Sequence, residues 1–253
     1  GVIGGAESNP GGLAVVWSEE NSRDAIFDAL RRREVYATSG PRPIVRFFAG
    51  DLAEVACSRA DFVTRAYESG TPMGGEIGPV LGAASPRFAV LAFKDPGEVG
   101  APGTPLQRIQ IVKGWVDATG TAQEQVFEVA GDPGNGASVD TTTCATSGPG
   151  SDSLCAVWTD PQFDRDQRAF YYARVVENPV CRWSTRLCNA QAVDCSGTPP
   201  AGLEQCCNPA VPKTIQERAW TSPVWYRPEA FSRLDARLTF ADAAVGRGDS
   251  RKL

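Results

Sequence analysis

The strongest periodic signal lies near the start of the chain. Leu13 to Trp17 is a near-continuous apolar run, the mark of a strand covered on both faces as in parallel α/β sheets. The residues that follow predict a helix. Asn21 or Ser22 caps it, Asp24 stands in its first turn, and Arg31, Arg32 and Arg33 gather at its far end, each charge complementing the helix dipole. Ile26, Phe27 and Leu30 would then form its buried face. Val35 to Thr38 returns as a short strand, stopped by Ser39, Gly40 and Pro41. A single unit of this kind cannot bury its own faces, so the pattern predicts that the rest of its domain lies upstream.

From Ile44 the pattern changes to short strands separated by Gly and Pro. Ile44 to Phe48, Phe88 to Phe93, Leu106 to Lys113, Gln125 to Ala130, Phe170 to Val176 and Ala219 to Tyr226 read as β-sandwich strands. Ile109 and Ile111 alternate with Arg108 and Gln110, which fits a sheet wet on one side. Asp117 to Gly120 is the expected turn to the next strand, and Pro223 argues for an edge or a bulge. Residues 131 to 160 and 178 to 214 read as long loops. The fold class is therefore mainly β with a small α/β part. Its expected divisions are a strand-helix-strand unit (1–48), a sandwich-like domain with Cys-rich loops (49–240) and a polar tail (241–253).

Composition narrows the function. The chain has 253 residues, 25 Lys plus Arg and 30 Asp plus Glu, for a net charge of −5. It lacks the basic footprint that neutralises nucleic-acid phosphates, and no apolar run approaches the roughly 18 residues of a membrane span. Histidine is absent, which removes Ser-His and Cys-His catalysis and the commonest zinc ligand from this chain. Residue 1 is Gly and the single methionine is Met73, which predicts a processed or excised piece.

The cysteines carry a compartment signal. Cys57, Cys144, Cys155, Cys181, Cys188, Cys195, Cys206 and Cys207 are even in number, and seven of them crowd into the two long loops. Disulfides there would replace a missing core, and such bonds persist in the periplasm or outside the cell. A zinc site is the rival, but the spacing lacks the close C-x₂-C pairs of zinc ribbons. Free cytosolic thiols are the other alternative, at the cost of an oxidation hazard. The connectivity stays open, although adjacent Cys206 and Cys207 would need a strained ring to pair with each other.

The run WSEENSRDAIFDALRRREVYATSGPR, with IQIVKGW at 109–115, FYYARVVENPVCRWST at 170–185 and IQERAWTSPVWY at 215–226, resembles a bacterial family of uncharacterised proteins. It is the domain-of-unknown-function family numbered three thousand six hundred and four. That family in turn resembles the polymerase and histidinol phosphatase (PHP) superfamily, distorted β/α barrels that hydrolyse phosphoesters with two or three metal ions. The resemblance implies that this chain is a C-terminal half carrying the last unit of an incomplete barrel. It also implies that a divalent metal is held by residues upstream, with no cofactor in the chain itself. The implied partners are the missing N-terminal half and a small-molecule substrate.

On that reading Glu19, Glu20 and Asn21 lie at the working end of a barrel strand, where a carboxylate steers a metal-bound water or binds a substrate hydroxyl. The bland alternative is a helix cap with two solvated glutamates. Ser39, Gly40 and Arg42 offer amide and guanidinium donors to an anion, or simply form a turn. Asp160, Asp164 and Asp166 cluster carboxylates as a calcium loop does but lack its glycine and distal glutamate, and a polar turn before the strand at Phe170 is the preferred explanation. Trp183, Trp220 and Trp225 suit either a sugar-stacking platform or the core. Arg247-Gly248-Asp249 is a chance-level adhesion motif.

Two expectations result. The intact protein is an exported, phosphoesterase-like metal-dependent hydrolase, and this chain alone is inactive. The alternative is a β-sandwich binding module that recognises a glycan or a protein without catalysis.

Overall fold

The computed structural model describes residues 11–52, 55, 57–79 and 85–228. The first half of the chain supplies β1 (Leu13–Val16), α1 (Arg23–Arg32), β2 (Val35–Thr38), β3 (Ile44–Gly50), α2 (Phe62–Ser69), β4 (Gly70–Pro72), β5 (Glu76–Ile77) and β6 (Arg87–Phe93). A small hairpin, β7 (Gly97–Glu98) and β8 (Ala101–Pro102), precedes the long strands β9 (Leu106–Val116) and β10 (Ala122–Gly131). A second small hairpin, β11 (Ser138–Val139) and β12 (Thr146–Ser147), leads to β13 (Ser153–Thr159) and β14 (Ala169–Cys181). The chain then forms α3 (Trp183–Ala190), β15 (Thr214–Thr221) and β16 (Val224–Tyr226).

Two sheets result. In the larger, β14 is central: β9 and then β10 lie on one side of it, and on the other side β15 leads to β2 and β1 while β16 leads to β5. The smaller sheet has the order β13-β6-β3-β4. Alternation explains why they face each other. Ile109, Ile111, Tyr171, Ala173 and Val175 point inward from β9 and β14, where they meet Val45, Phe47, Phe88 and Val90 from β3 and β6 in one buried cluster. Each Val, Ile or Phe side chain among them contributes about 1.5–3 kcal/mol by leaving water. The far face of the smaller sheet is covered by α2, through Phe48, Leu52, Phe62, Ala66 and Ala89.

The first unit has the expected elements but not the expected pairing. β1 and β2 run antiparallel, from Leu13 opposite Thr38 to Val16 opposite Val35, and β2 continues into β15. The parallel, doubly covered strand is thereby corrected. α1 starts and ends at the same end of the sheet, as the bond from Trp17 N to Glu34 O (3.0 Å) requires. The helix closes a wide hairpin instead of crossing a sheet face. Consequently Phe27 and Leu30 are half exposed, and Ala29 is the helix residue that is fully buried. Ser22 is the cap, accepting from Ala25 N at 3.2 Å, while Arg33 ends the helix at φ 61. The boundary expected after residue 48 falls inside β3.

The strand expected at 219–226 breaks in two at Pro223. With no N–H to give, Pro223 sits where the chain leaves the β2–β14 slot and re-enters beside β14 and β5. The turn after β9 is as expected, with Gly120 N donating to Asp117 O at 3.0 Å. The two long loops are more structured than their composition suggests, holding β11 to β13 and α3. Four disulfides fasten them: Cys57–Cys155, Cys144–Cys181, Cys188–Cys206 and Cys195–Cys207. Their presence is compatible with an extracellular or periplasmic location. Among the described residues, no helix is long and apolar enough to cross a membrane. The Arg247-Gly248-Asp249 motif lies outside the described residues.

Candidate functional site

The wide hairpin and the second helix enclose a cleft of about 770 Å³. Its inner wall is a polar network assembled from four elements. Trp17, just past β1, donates from Nε1 to Val45 O at 3.0 Å, which fixes the indole plane. The Arg46 guanidinium from β3 sits over that indole, its Cζ 3.3 Å from the ring centroid, as cations prefer to sit on an aromatic face. Arg46 Nη1 donates to the Tyr67 hydroxyl from α2 at 2.7 Å, and that hydroxyl donates in turn to Glu34 Oε1. Glu34 is buried and also has Arg46 at 3.9 Å and Arg32 at 3.6 Å. Burial, followed by donation to Glu34, pushes the Tyr67 hydroxyl up to about 12. It therefore remains a proton donor at any physiological pH.

Arg33 closes one end of the cleft, with Nε on Gly74 O at 2.8 Å. Gly74 has φ +86, and a Cβ there would stand 2.2 Å from Arg33 O, so this approach requires glycine. Glu19 is exposed at the mouth. The structure thus brings Glu19 to the cleft together with Arg32, Arg33, Glu34, Arg46 and Tyr67. Glu20 is exposed, its carbonyl taken by Ser18 Oγ at 3.0 Å, and Asn21 is exposed beside the true cap. The separation of Trp17, Glu34, Arg46 and Tyr67 along the chain hid the network from sequence reasoning. One signal was available: Arg46 interrupts the apolar strand IVRFFAG.

The second candidate set lies elsewhere and is occupied by the chain's own groups. Ser39 Oγ donates to the Glu217 carboxylate and accepts from Arg218 N at 2.8 Å. Gly40 N donates to Thr38 Oγ1 at 3.2 Å. The carboxylate facing Arg42 is internal, since Asp95 accepts its amide at 2.7 Å and stands 3.6 Å from its Nε. Nearby Glu177 is 2% exposed, and its Oε1 has no partner among the described residues. Burial, reinforced by the charges of Glu217 and Asp95, pushes its carboxyl up to about 8.

The aspartate cluster is likewise internal. Asp160 is buried against Lys113 Nζ at 2.7 Å and the Tyr171 hydroxyl at 2.8 Å, while Asp164 closes a turn by accepting from Asp166 N at 2.9 Å. Among the described residues, no group of three or more His, Cys, Asp or Glu is placed to hold a metal ion. The described residues do not fit a metal centre. The three tryptophans do not form one platform: Trp183 is on α3, Trp220 on β15 and Trp225 on β16. Trp183 and Trp225 are over a third exposed, so the core reading of these two is corrected.

No curated protein and no solved structure matches the chain. A family model described as protein of unknown function (DUF3604) matches residues 2–228, nearly the whole chain. The chain belongs to that family.

Proposed function

We propose that this chain is the C-terminal part of an exported, metal-dependent hydrolase of phosphoesterase type, and that the cleft behind β1 binds the anionic end of its substrate. The observation that carries this reading is the charge of the cleft. Arg32, Arg33 and Arg46 stand against Glu19 and Glu34, a surplus of one positive charge around about 770 Å³. Guanidinium forks match the oxygens of a phosphoryl group. Trp17, Tyr67 and Glu34 orient Arg46 before any ligand arrives, which lowers the cost of binding in the productive pose. Glu19 at the mouth is placed to orient a substrate hydroxyl or to take a proton from water.

Ester hydrolysis is the reaction expected from the family's likeness to the PHP superfamily, and the four disulfides are compatible with export. A metal ion, when bound, would polarise the phosphoryl oxygens and activate water. On this reading its ligands belong to residues outside this chain. The test uses the full-length protein with p-nitrophenyl phosphate and its diester as substrates. Arg32 is half exposed, so Arg32→Ala leaves the fold intact and raises KM about tenfold, the loss expected for one charge-assisted hydrogen bond. Glu19→Gln lowers kcat. Unchanged kinetics in both variants would remove the cleft from the reaction.

A further inference from the structure

The outer face of the large sheet carries a second recess, of about 620 Å³, that shares no lining residue with the cleft. Its floor is one cross-strand row. Glu124 of β10 stands opposite Gly114 of β9, Gly114 opposite Phe170 of β14, Phe170 opposite Trp225 of β16, and Trp225 opposite Glu76 of β5. Residues paired across strands project from the same face. Because Ala169 and Tyr171 point into the core, Phe170 and Tyr172 point outward beside this row.

Gly114 shapes the recess. A Cβ there would lie 2.2 Å from the Phe170 ring, so the missing side chain lets that ring fold across β9. Trp225 lies against Phe170 with ring centroids 5.3 Å apart and stays 39% exposed. Planar polar groups rim the aromatics. Glu124 lines one side, and Arg227 lines the other, held by Glu76 at 3.0 Å.

We propose that this recess is a carbohydrate-binding subsite that takes pyranose rings. A pyranose has an apolar face of C–H groups that settles on an exposed aromatic ring, and a rim of hydroxyls that both donate and accept. Trp225 and Phe170 offer the aromatic surface. Carboxylate and guanidinium together offer both hydrogen-bonding senses at its edge. A purely apolar partner would leave these rim charges desolvated and poorly paired, which favours a polyhydroxylated ligand. The volume lies within the range of small-molecule sites. The inference is independent of the hydrolase reading.

The test is titration of the intact chain with cello-, chito-, xylo- and manno-oligosaccharides, followed by tryptophan fluorescence and by amide chemical shifts. At least one series is expected to bind, with shifts at Gly114, Phe170 and Trp225. Trp225→Ala should weaken that binding about tenfold or more, as loss of a central aromatic contact does. Trp225→Phe should retain most of it, and Trp183→Ala, outside the recess, should leave it unchanged. Thermal unfolding of each variant separates lost binding from lost fold. The proposal is overturned if no series binds at about 10 mM, an affinity too weak for a built site. It is equally overturned if Trp225→Ala binds like the parent, or if the recess proves to join two copies of the chain that this variant separates in sedimentation.

Discussion

Replacing Glu177 by Gln tests the electrostatics of the fold most sharply. Glu177 is 2% exposed, lacks a partner for Oε1 among the described residues, and is pushed from its ordinary 4.5 up to about 8, first by burial and then by Glu217 and Asp95. Because the folded-state value is raised, the native protein holds a proton that the unfolded chain releases between pH 4.5 and about 8. Stability is therefore fully present below pH 4.5 and is lost as pH rises through that window. At about 1.4 kcal/mol per pH unit, the loss has a ceiling of about 5 kcal/mol. Glutamine keeps the shape and removes the ionisation. Urea unfolding with disulfides intact, repeated from pH 4 to pH 8.5, should show parent and variant within about 1 kcal/mol at pH 4. The variant should become more stable by several kcal/mol at pH 8. Parallel curves across the range would refute the reasoning, since they would mean that Glu177 ionises in the folded protein as readily as in the unfolded chain.

Other perturbations probe separate parts of the structure. Lys113→Met strands the buried Asp160 carboxylate and should cost about 3–5 kcal/mol in the same unfolding assay, whereas the double change Lys113→Met with Asp160→Leu should recover part of that loss. Removing the Cys57–Cys155 bond, which joins residues 98 apart, should cost about 4–5 kcal/mol on the chain-entropy estimate, with a matching fall in Tm. Ser22→Ala deletes the α1 cap and should cost about 1 kcal/mol, read as a small shift in the urea midpoint.

What the sequence revealed follows from the range of the physics involved. Alternation within a single strand is local, so Ile109 and Ile111 were legible as core, and the turn at Asp117 to Gly120 was legible from its residues. Even, crowded cysteines pointed to disulfides, but which pairs form depends on loops meeting in space, and Cys57 finds a partner 98 residues away. Several elements were missed, and two of them show why. Ser153–Thr159 is a strand set between Gly- and Pro-containing segments, so its surroundings read as loop. Phe62–Ser69 is a helix of eight residues, little more than two turns, too short for its apolar period to stand out.

The first unit shows the limit of pattern reading. Its helix was visible down to the alternative of Ser22 as cap, yet strand direction is set by where the helix ends. Here the return to Glu34 beside Trp17 makes the pair antiparallel. That return also builds the cleft. Glu19 was legible as a candidate because it follows an apolar strand, whereas its neighbours Arg46 and Tyr67 come from elements that reach it only after the two sheets have packed. Ser39, Gly40 and Arg42 have the residue types of an anion site, but Glu217 and Asp95 already meet two of them.

The central claim is that this chain supplies a substrate-facing cleft to a phosphoester hydrolase whose metal ligands lie outside it. The most direct measurement is hydrolysis of p-nitrophenyl phosphate and its diester, with manganese or zinc added, by the full-length protein and by residues 1–253 side by side. The account predicts turnover by the full-length protein, a raised KM in its Arg32→Ala variant, and no turnover by residues 1–253. Metal-dependent turnover by residues 1–253, or none by the full-length protein, would contradict it.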